Sequence, residues 1–353
     1  MLSMGPFGYP LDYLILWALY VSLVVHTVCF FRSRHFKKRT RLGLLTGNLL
    51  VFSCLGGLAA LAVESCLRFV STTLDPFGMS IPSRRWFALH AKLNSLGCRD
   101  REWTVEKPPS VRRIAFVGDS FTYGWGIERV DDRFSERIAE QFERIRPGQV
   151  EIMNVAKPGW GTSDQIQPIR DMIHYYGADE IVLCYVFNDI EKAIPQVEGF
   201  DPTRPPEPRF FNPDGSCLID YLYRRLVVPR RATVRGHHDW LAGGYYDVNS
   251  LRVHQEQLGA ILQSCREAKV PLRVVLLPFL HVGGARFDRG LIHSIIRGFL
   301  EVNGVTVVDL LAAIENRDVR SLVVNRLDSH PNEAAHALFA EWIWNAWFAN
   351  APN

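Results

Sequence analysis

The chain has 353 residues, enough for one sizeable domain with smaller attachments and no need of a disulfide or metal staple. Apolar residues make up 48% and charged residues 22%, the proportions of a folded chain and not of a disordered one. A formal net charge of +3, with no basic stripe interleaved with aromatics, excludes nucleic acid as a partner.

The composition is uneven along the chain. Leu14 to Phe31 (LILWALYVSLVVHTVCFF) has His26 as its only ionisable side chain, and Leu42 to Val63 (LGLLTGNLLVFSCLGGLAALAV) has no charge. At about 1.5 Å per residue each run is long enough to cross a hydrocarbon layer of roughly 30 Å. The sequence therefore predicts a transmembrane hairpin over residues 1–70, with helices at about 12–31 and 42–64. Between them lie Arg32, Arg34, Lys37, Lys38, Arg39 and Arg41. The positive-inside rule keeps that loop cytoplasmic and places the rest of the chain outside the cytoplasm. The first ten residues lack Lys and Arg, unlike a cleaved signal peptide with a basic start.

Residues 71–110 are mixed, with Pro76, Pro82, Pro108 and Pro109 interrupting any long element. They read as a linker packing on a domain at 111–353. From there apolar runs alternate with helical spacing. Strands are expected at Val111–Gly118, Val150–Val155, Glu180–Phe187, Leu272–Leu277 and Val305–Asp309. Helices are expected at Phe134–Ile145, Ser163–Tyr176, Leu251–Ala268, Leu291–Val302 and Glu333–Phe348. Near-continuous apolar strands such as EIVLCYVF imply a parallel sheet covered on both faces. Residues 195–249, rich in proline, arginine and aromatics, break the alternation and read as a lid-like insertion. The seven cysteines have no C-x-x-C spacing and read as small apolar filler, with one bridge among Cys98, Cys217 and Cys265 left open.

In an open parallel sheet ligands bind beyond the carboxyl ends of the strands. The first strand is followed by GDSFTYGWG and the second by NVAKPGWGTSDQ. The third ends in FNDI, and LDSHPNEAAH precedes the last helix. These four blocks, in this order, resemble the SGNH/GDSL hydrolase superfamily, in its membrane-anchored bacterial form, over about two-thirds of the chain. The resemblance implies a three-layer α/β/α sandwich with a flavodoxin-like parallel sheet, here preceded by the hairpin. It implies a serine esterase or deacylase working through an acyl-enzyme. Ser120 would be the nucleophile, His330 the general base and Asp328 its orienting carboxylate. The Ser120 N–H, the Gly159 N–H and the Asn188 amide would form the oxyanion hole. No cofactor or metal is implied.

Three departures stand out. The third block has Val186 where the family has glycine. Asp328 is two residues before His330 instead of three. The second block carries an extra residue, leaving Gly161 as an alternative to Gly159. Asp309 is the alternative orienting carboxylate, and His336 is read as packing on the final helix. Asp119 reads as a structural hydrogen-bonder in its turn. The His237–His238–Asp239 run reads as surface or lid, not as a metal site. Trp125 and Trp160 are candidate substrate contacts, suited to sugars or to a lipid chain.

The expected substrate is an acylated carbohydrate or another small ester. Two alternatives stand beside this reading. One is an O-acyltransferase using the same serine with an acyl-donor membrane partner. The other is a non-catalytic polysaccharide-binding envelope protein.

Overall fold

A computed structural model describes residues 10–349, apart from 76–77, 79, 196–215, 231, 281–287 and 327. The chain divides into two compact units: residues 1–89 with 203–231, and 90–202 with 232–353.

In the first unit α1 (Pro10–Arg32) is joined to α3 (Arg41–Phe69) by the short α2 (Arg34–Lys37). Both long helices are apolar and long enough to cross a membrane, and scarcely any of either is buried. Thr40 caps α3 by accepting from the Gly43 N–H at 3.1 Å. The boundary between units falls inside the stretch expected as linker, just after α4 (Ile81–His90) begins its last turn. The expected lid-like insertion at 195–249 contains regular helices. Of these, α8 (Cys217–Leu226) belongs to the first unit and α9 (Ala232–Tyr246) to the second. The DPTRPPEPRFF part of the insertion lies outside the described residues.

The second unit is built on five parallel strands: β1 (Arg112–Gly118), β2 (Val150–Ala156), β3 (Glu180–Tyr185), β4 (Leu272–Leu276) and β5 (Thr306–Asp309). Their order is β2-β1-β3-β4-β5, the flavodoxin-like arrangement. Side chains alternate across each strand. Ala115, Val117, Ile181, Leu183 and Val274 enter one core with Ile169, Leu258 and Ile296, from α7 (Thr162–His174), α10 (Val248–Glu267) and α11 (Arg289–Val302). Ile114, Phe116, Val182, Cys184 and Val275 enter the other. There they meet Ile138 and Phe339 from α6 (Phe134–Ile145) and α13 (Glu333–Trp347). Both faces are thus covered, as the apolar strand runs required.

Two short elements lie beyond the sequence expectation. One is α5 (Ser120–Tyr123), a single turn directly after β1. The other is an antiparallel hairpin of β6 (Val323–Asn325) and β7 (Asp328–Pro331), separate from the main sheet. The turn α12 (Leu311–Ile314) joins β5 to this region. All seven cysteines are free thiols.

Candidate active site

β1 and β3 are neighbours in the sheet and β2 lies on the other side of β1, so the order in which strands are added reverses between β1 and β3. Ligand crevices of open α/β sheets lie at this point. Ser120 follows β1 and Asn188 follows β3.

Asp119 turns the chain out of β1, its carboxylate accepting from the Phe121 N–H at 2.9 Å and capping α5. Gly124, at φ 76°, ends the turn, and Gly126 follows at φ 86°. A Cβ on Gly126 would stand 2.3 Å from Val324, so the loop lies hard against β6. Behind it sits Arg99, fully buried, donating to the carbonyls of Gly124 at 2.8 Å and Ile127 at 2.6 Å. Asn154 of β2 donates to the Thr122 carbonyl at 2.7 Å. These groups fix the backbone that carries the serine.

Ser120 Oγ lies 2.8 Å from His330 Nε2, and His330 Nδ1 lies 2.5 Å from Asp328 Oδ1. With His330 Nδ1–H donating to the Asp328 carboxylate, Nε2 accepts from the serine hydroxyl. Asp328 is fully buried, and its second oxygen accepts from the Trp125 indole at 2.8 Å. The Trp125 ring stacks on His330 with centroids 5.1 Å apart and planes at 22°. Phe121 packs on His330 at 5.3 Å and stacks with Phe279, which also meets Phe187. A hydroxyl bonded to an imidazole whose far nitrogen is held by a buried carboxylate is a geometry that activates oxygen as a nucleophile.

The departures in spacing have a structural reason. Asp328 and His330 lie on β7, and residues two apart on a strand share a face. Val186 has φ −124° and ψ 156°, extended backbone open to any residue, and its side chain fills the core. Of the two candidate glycines, Gly161 already donates its N–H to Asp164 at 2.8 Å. Gly159 stands at φ 78° with open space where a side chain would be.

The Asn188 amide donates to Asp119 at 3.0 Å, and Ser120 Oγ lies 3.4 Å from the same oxygen. Burial pushes the Asp119 carboxyl up, against the Phe121 N–H, the Asn188 amide and His330, which all draw it down. Asp189, beside Asn188, closes its turn by accepting from the Val186 N–H at 3.0 Å and from Gln165 at 3.2 Å. Burial and the nearby Asp119 hold Asp189 well above the usual carboxylate range. The Tyr245 hydroxyl donates to the Phe187 carbonyl at 2.6 Å and meets the Tyr185 hydroxyl, which meets His254 at 2.9 Å.

Other candidates are placed differently. Trp125 is 7% exposed, with its N–H and one ring face engaged, so it is part of the Asp328–His330 assembly and not an open platform for sugar. Trp160 is half-buried with the Lys157 ammonium 5.4 Å from its ring centre. Asp309 is bound to His293 at 2.7 Å, away from His330. His336 is fully buried on α13 and accepts from the Phe134 N–H at 3.1 Å, capping α6. Burial and surrounding arginines push it down to about 3. The rings of His237 and His238 lie 5.8 Å from each other on α9, and His238 packs on Phe279 at 5.1 Å. Among the described residues no group of three metal-ligating side chains occurs. Asn154, Arg99 and Asp189 escaped the sequence reading, and Trp125 entered it as a substrate contact and not as a partner of Asp328. Only the glycines flanking Trp125 signalled that its backbone is special.

A model of the GDSL-like Lipase/Acylhydrolase family matches residues 116–338. No curated protein matches the chain. Among solved structures, the acetyl xylan esterase AlAXEase is 16% identical with a TM-score of 0.43, the match covering 67% of this chain and all of that one. TesA is 11% identical with a TM-score of 0.44, covering 67% of this chain and 98% of its own. The psychrotrophic esterase EstA from Pseudoalteromonas sp. is 12% identical with a TM-score of 0.42, covering 68% and 100%.

Proposed function

Because this chain belongs to the GDSL-like lipase/acylhydrolase family and is an esterase by that membership, we propose that it cleaves its ester through an acyl-enzyme on Ser120. The observation that carries the reading is the unbroken run from Ser120 Oγ through His330 to buried Asp328. His330 Nε2 takes the serine proton as Oγ attacks the acyl carbonyl, and then returns it to the departing alkoxide. Asp328 holds the Nδ1 proton and balances the imidazolium. Charge on the carbonyl oxygen is met by the Ser120 N–H, the Gly159 N–H and the second N–H of the Asn188 amide, whose first is held by Asp119. Water activated by the same histidine then releases the acid.

The substrate proposed is an acylated carbohydrate or another small ester outside the cytoplasm. The ring wall of Phe121, Phe279 and Phe187 beside the serine suits a short acyl group. The extracytoplasmic placement rests on α1 and α3 as membrane spans around a cytoplasmic basic loop. Their apolar side chains stay exposed, as in Leu19 and Leu49, which lipid would cover and a soluble core would not. Acyl transfer to a sugar hydroxyl would use the same serine, and it is distinguished by its product.

The test is labelling of the purified protein with a fluorophosphonate. The wild type is expected to label, and Ser120→Ala and His330→Ala to lose labelling while remaining folded. A folded wild type that does not label would end the acyl-enzyme reading.

A further inference from the structure

The helix α8 is fastened to the end of α3 by one carboxylate. Glu64 accepts from the Ser216 hydroxyl at 2.8 Å and from the backbone N–H groups of Cys217 at 3.0 Å and Leu218 at 2.8 Å. The same carboxylate takes Arg68 at 2.9 Å, and both side chains are buried. The N-terminal donors of α8 are thereby satisfied by a charge from α3.

One face of α8, with Cys217, Asp220 and Tyr223, is buried. An adjoining stripe at i, i+3 and i+7 is open: Ile219, Leu222 and Leu226 are 47%, 42% and 46% exposed. Val227 just beyond the helix, and Phe69 and Val70 at the end of α3, are exposed too. Arg225 and Arg230 carry positive charge at the C-terminal end of the stripe, Arg230 turning back to the Leu226 carbonyl.

The depth of this assembly follows from helix length. α3 starts at Arg41, after the basic loop, and about 20 residues span the hydrocarbon layer. The layer therefore ends near residue 61, and Glu64 lies within a turn of that boundary. The Tyr13 hydroxyl meets Ser65 at 2.7 Å, and Trp17 lies edge-on to Tyr13. Tyrosine and tryptophan favour this headgroup level.

We propose that α8 lies in the membrane interface on the side away from the basic loop. Ile219, Leu222 and Leu226 face the acyl-chain boundary and Arg225 the lipid phosphates, the arrangement of an interfacial amphipathic helix. This rests on the reading of α1 and α3 as membrane spans. Three aliphatic side chains are too little surface for a stable protein interface of about 800 Å² per partner, but they suffice for a helix already tethered to the bilayer.

The full-length protein in phosphatidylcholine–phosphatidylglycerol vesicles tests it. A photo-crosslinking p-benzoylphenylalanine is placed at Leu222 on α8 and, separately, at Leu49 in the middle of α3; both sites are exposed. Light-dependent lipid adducts at both positions are the expected result. Adducts at Leu49 alone, or a chain-to-chain adduct at Leu222, would overturn the interfacial helix and leave the spans intact. Absence of lipid adducts at both would overturn the spans and this inference with them.

Discussion

Trp125 takes part in the assembly without meeting the reacting atoms. Its indole N–H occupies the Asp328 oxygen that His330 leaves unused, and its ring stacks on the imidazole. Trp125→Phe keeps an aromatic ring but strands a buried carboxylate lone pair, a loss of about 1–3 kcal/mol. On the functional reading above, kcat for a small aryl ester should fall roughly tenfold to a hundredfold with KM little changed. A double-mutant cycle with Asp328→Ala should be strongly non-additive, since the two side chains act as one group. Independent losses would reduce Trp125 to packing alone.

At the scale of elements, the loop between α5 and α6 gains its shape from what it is pressed against. Gly126→Ala would place a Cβ 2.3 Å from Val324 at a φ of 86°. It should destabilise the protein by roughly 2–4 kcal/mol, read as a lowered midpoint in urea. The five sheet strands were legible from short apolar segments alternating with helical spacing, most plainly in EIVLCYVF and LRVVLL. Ser120, Asn188 and His330 were legible because each follows a strand or precedes the last helix within a recognisable block. The hairpin β6–β7 was not, since LVVNRLDSHP has little periodicity and its strands are three and four residues long. Nor was α8, whose N-terminus is satisfied by Glu64, 153 positions away from Cys217. Arg99 was not legible either, since its burial depends on carbonyls that only the folded loop brings together.

For the whole molecule, buried histidines tie stability to pH. His336 and His254 are fully buried, and burial pushes them down to about 3 and about 4. Their folded values lie below the unfolded value of about 6.5, so acid favours the unfolded chain. Their contribution is complete above about pH 6.5 and is lost as pH falls toward the folded values, on the order of 2 kcal/mol each by pH 4.5. Asp119 and Asp189, whose carboxyls are raised, work in the opposite sense. The comparison that isolates one group is therefore wild type against His336→Asn, which keeps an acceptor for the Phe134 N–H. Urea midpoints from pH 7 to 4.5 should fall less steeply in the variant; parallel slopes would remove His336 from the account. Finally, Asp328 and His330 share β7, on a hairpin apart from the main sheet, while Ser120 stands on the turn after β1. The three groups thus come from two pieces, an imidazole joined to its carboxylate on one and the hydroxyl bonded to it on the other. Trp125 on the serine side holds Asp328, and Gly126 presses on Val324, so the two pieces are clamped and the hairpin keeps the serine in register.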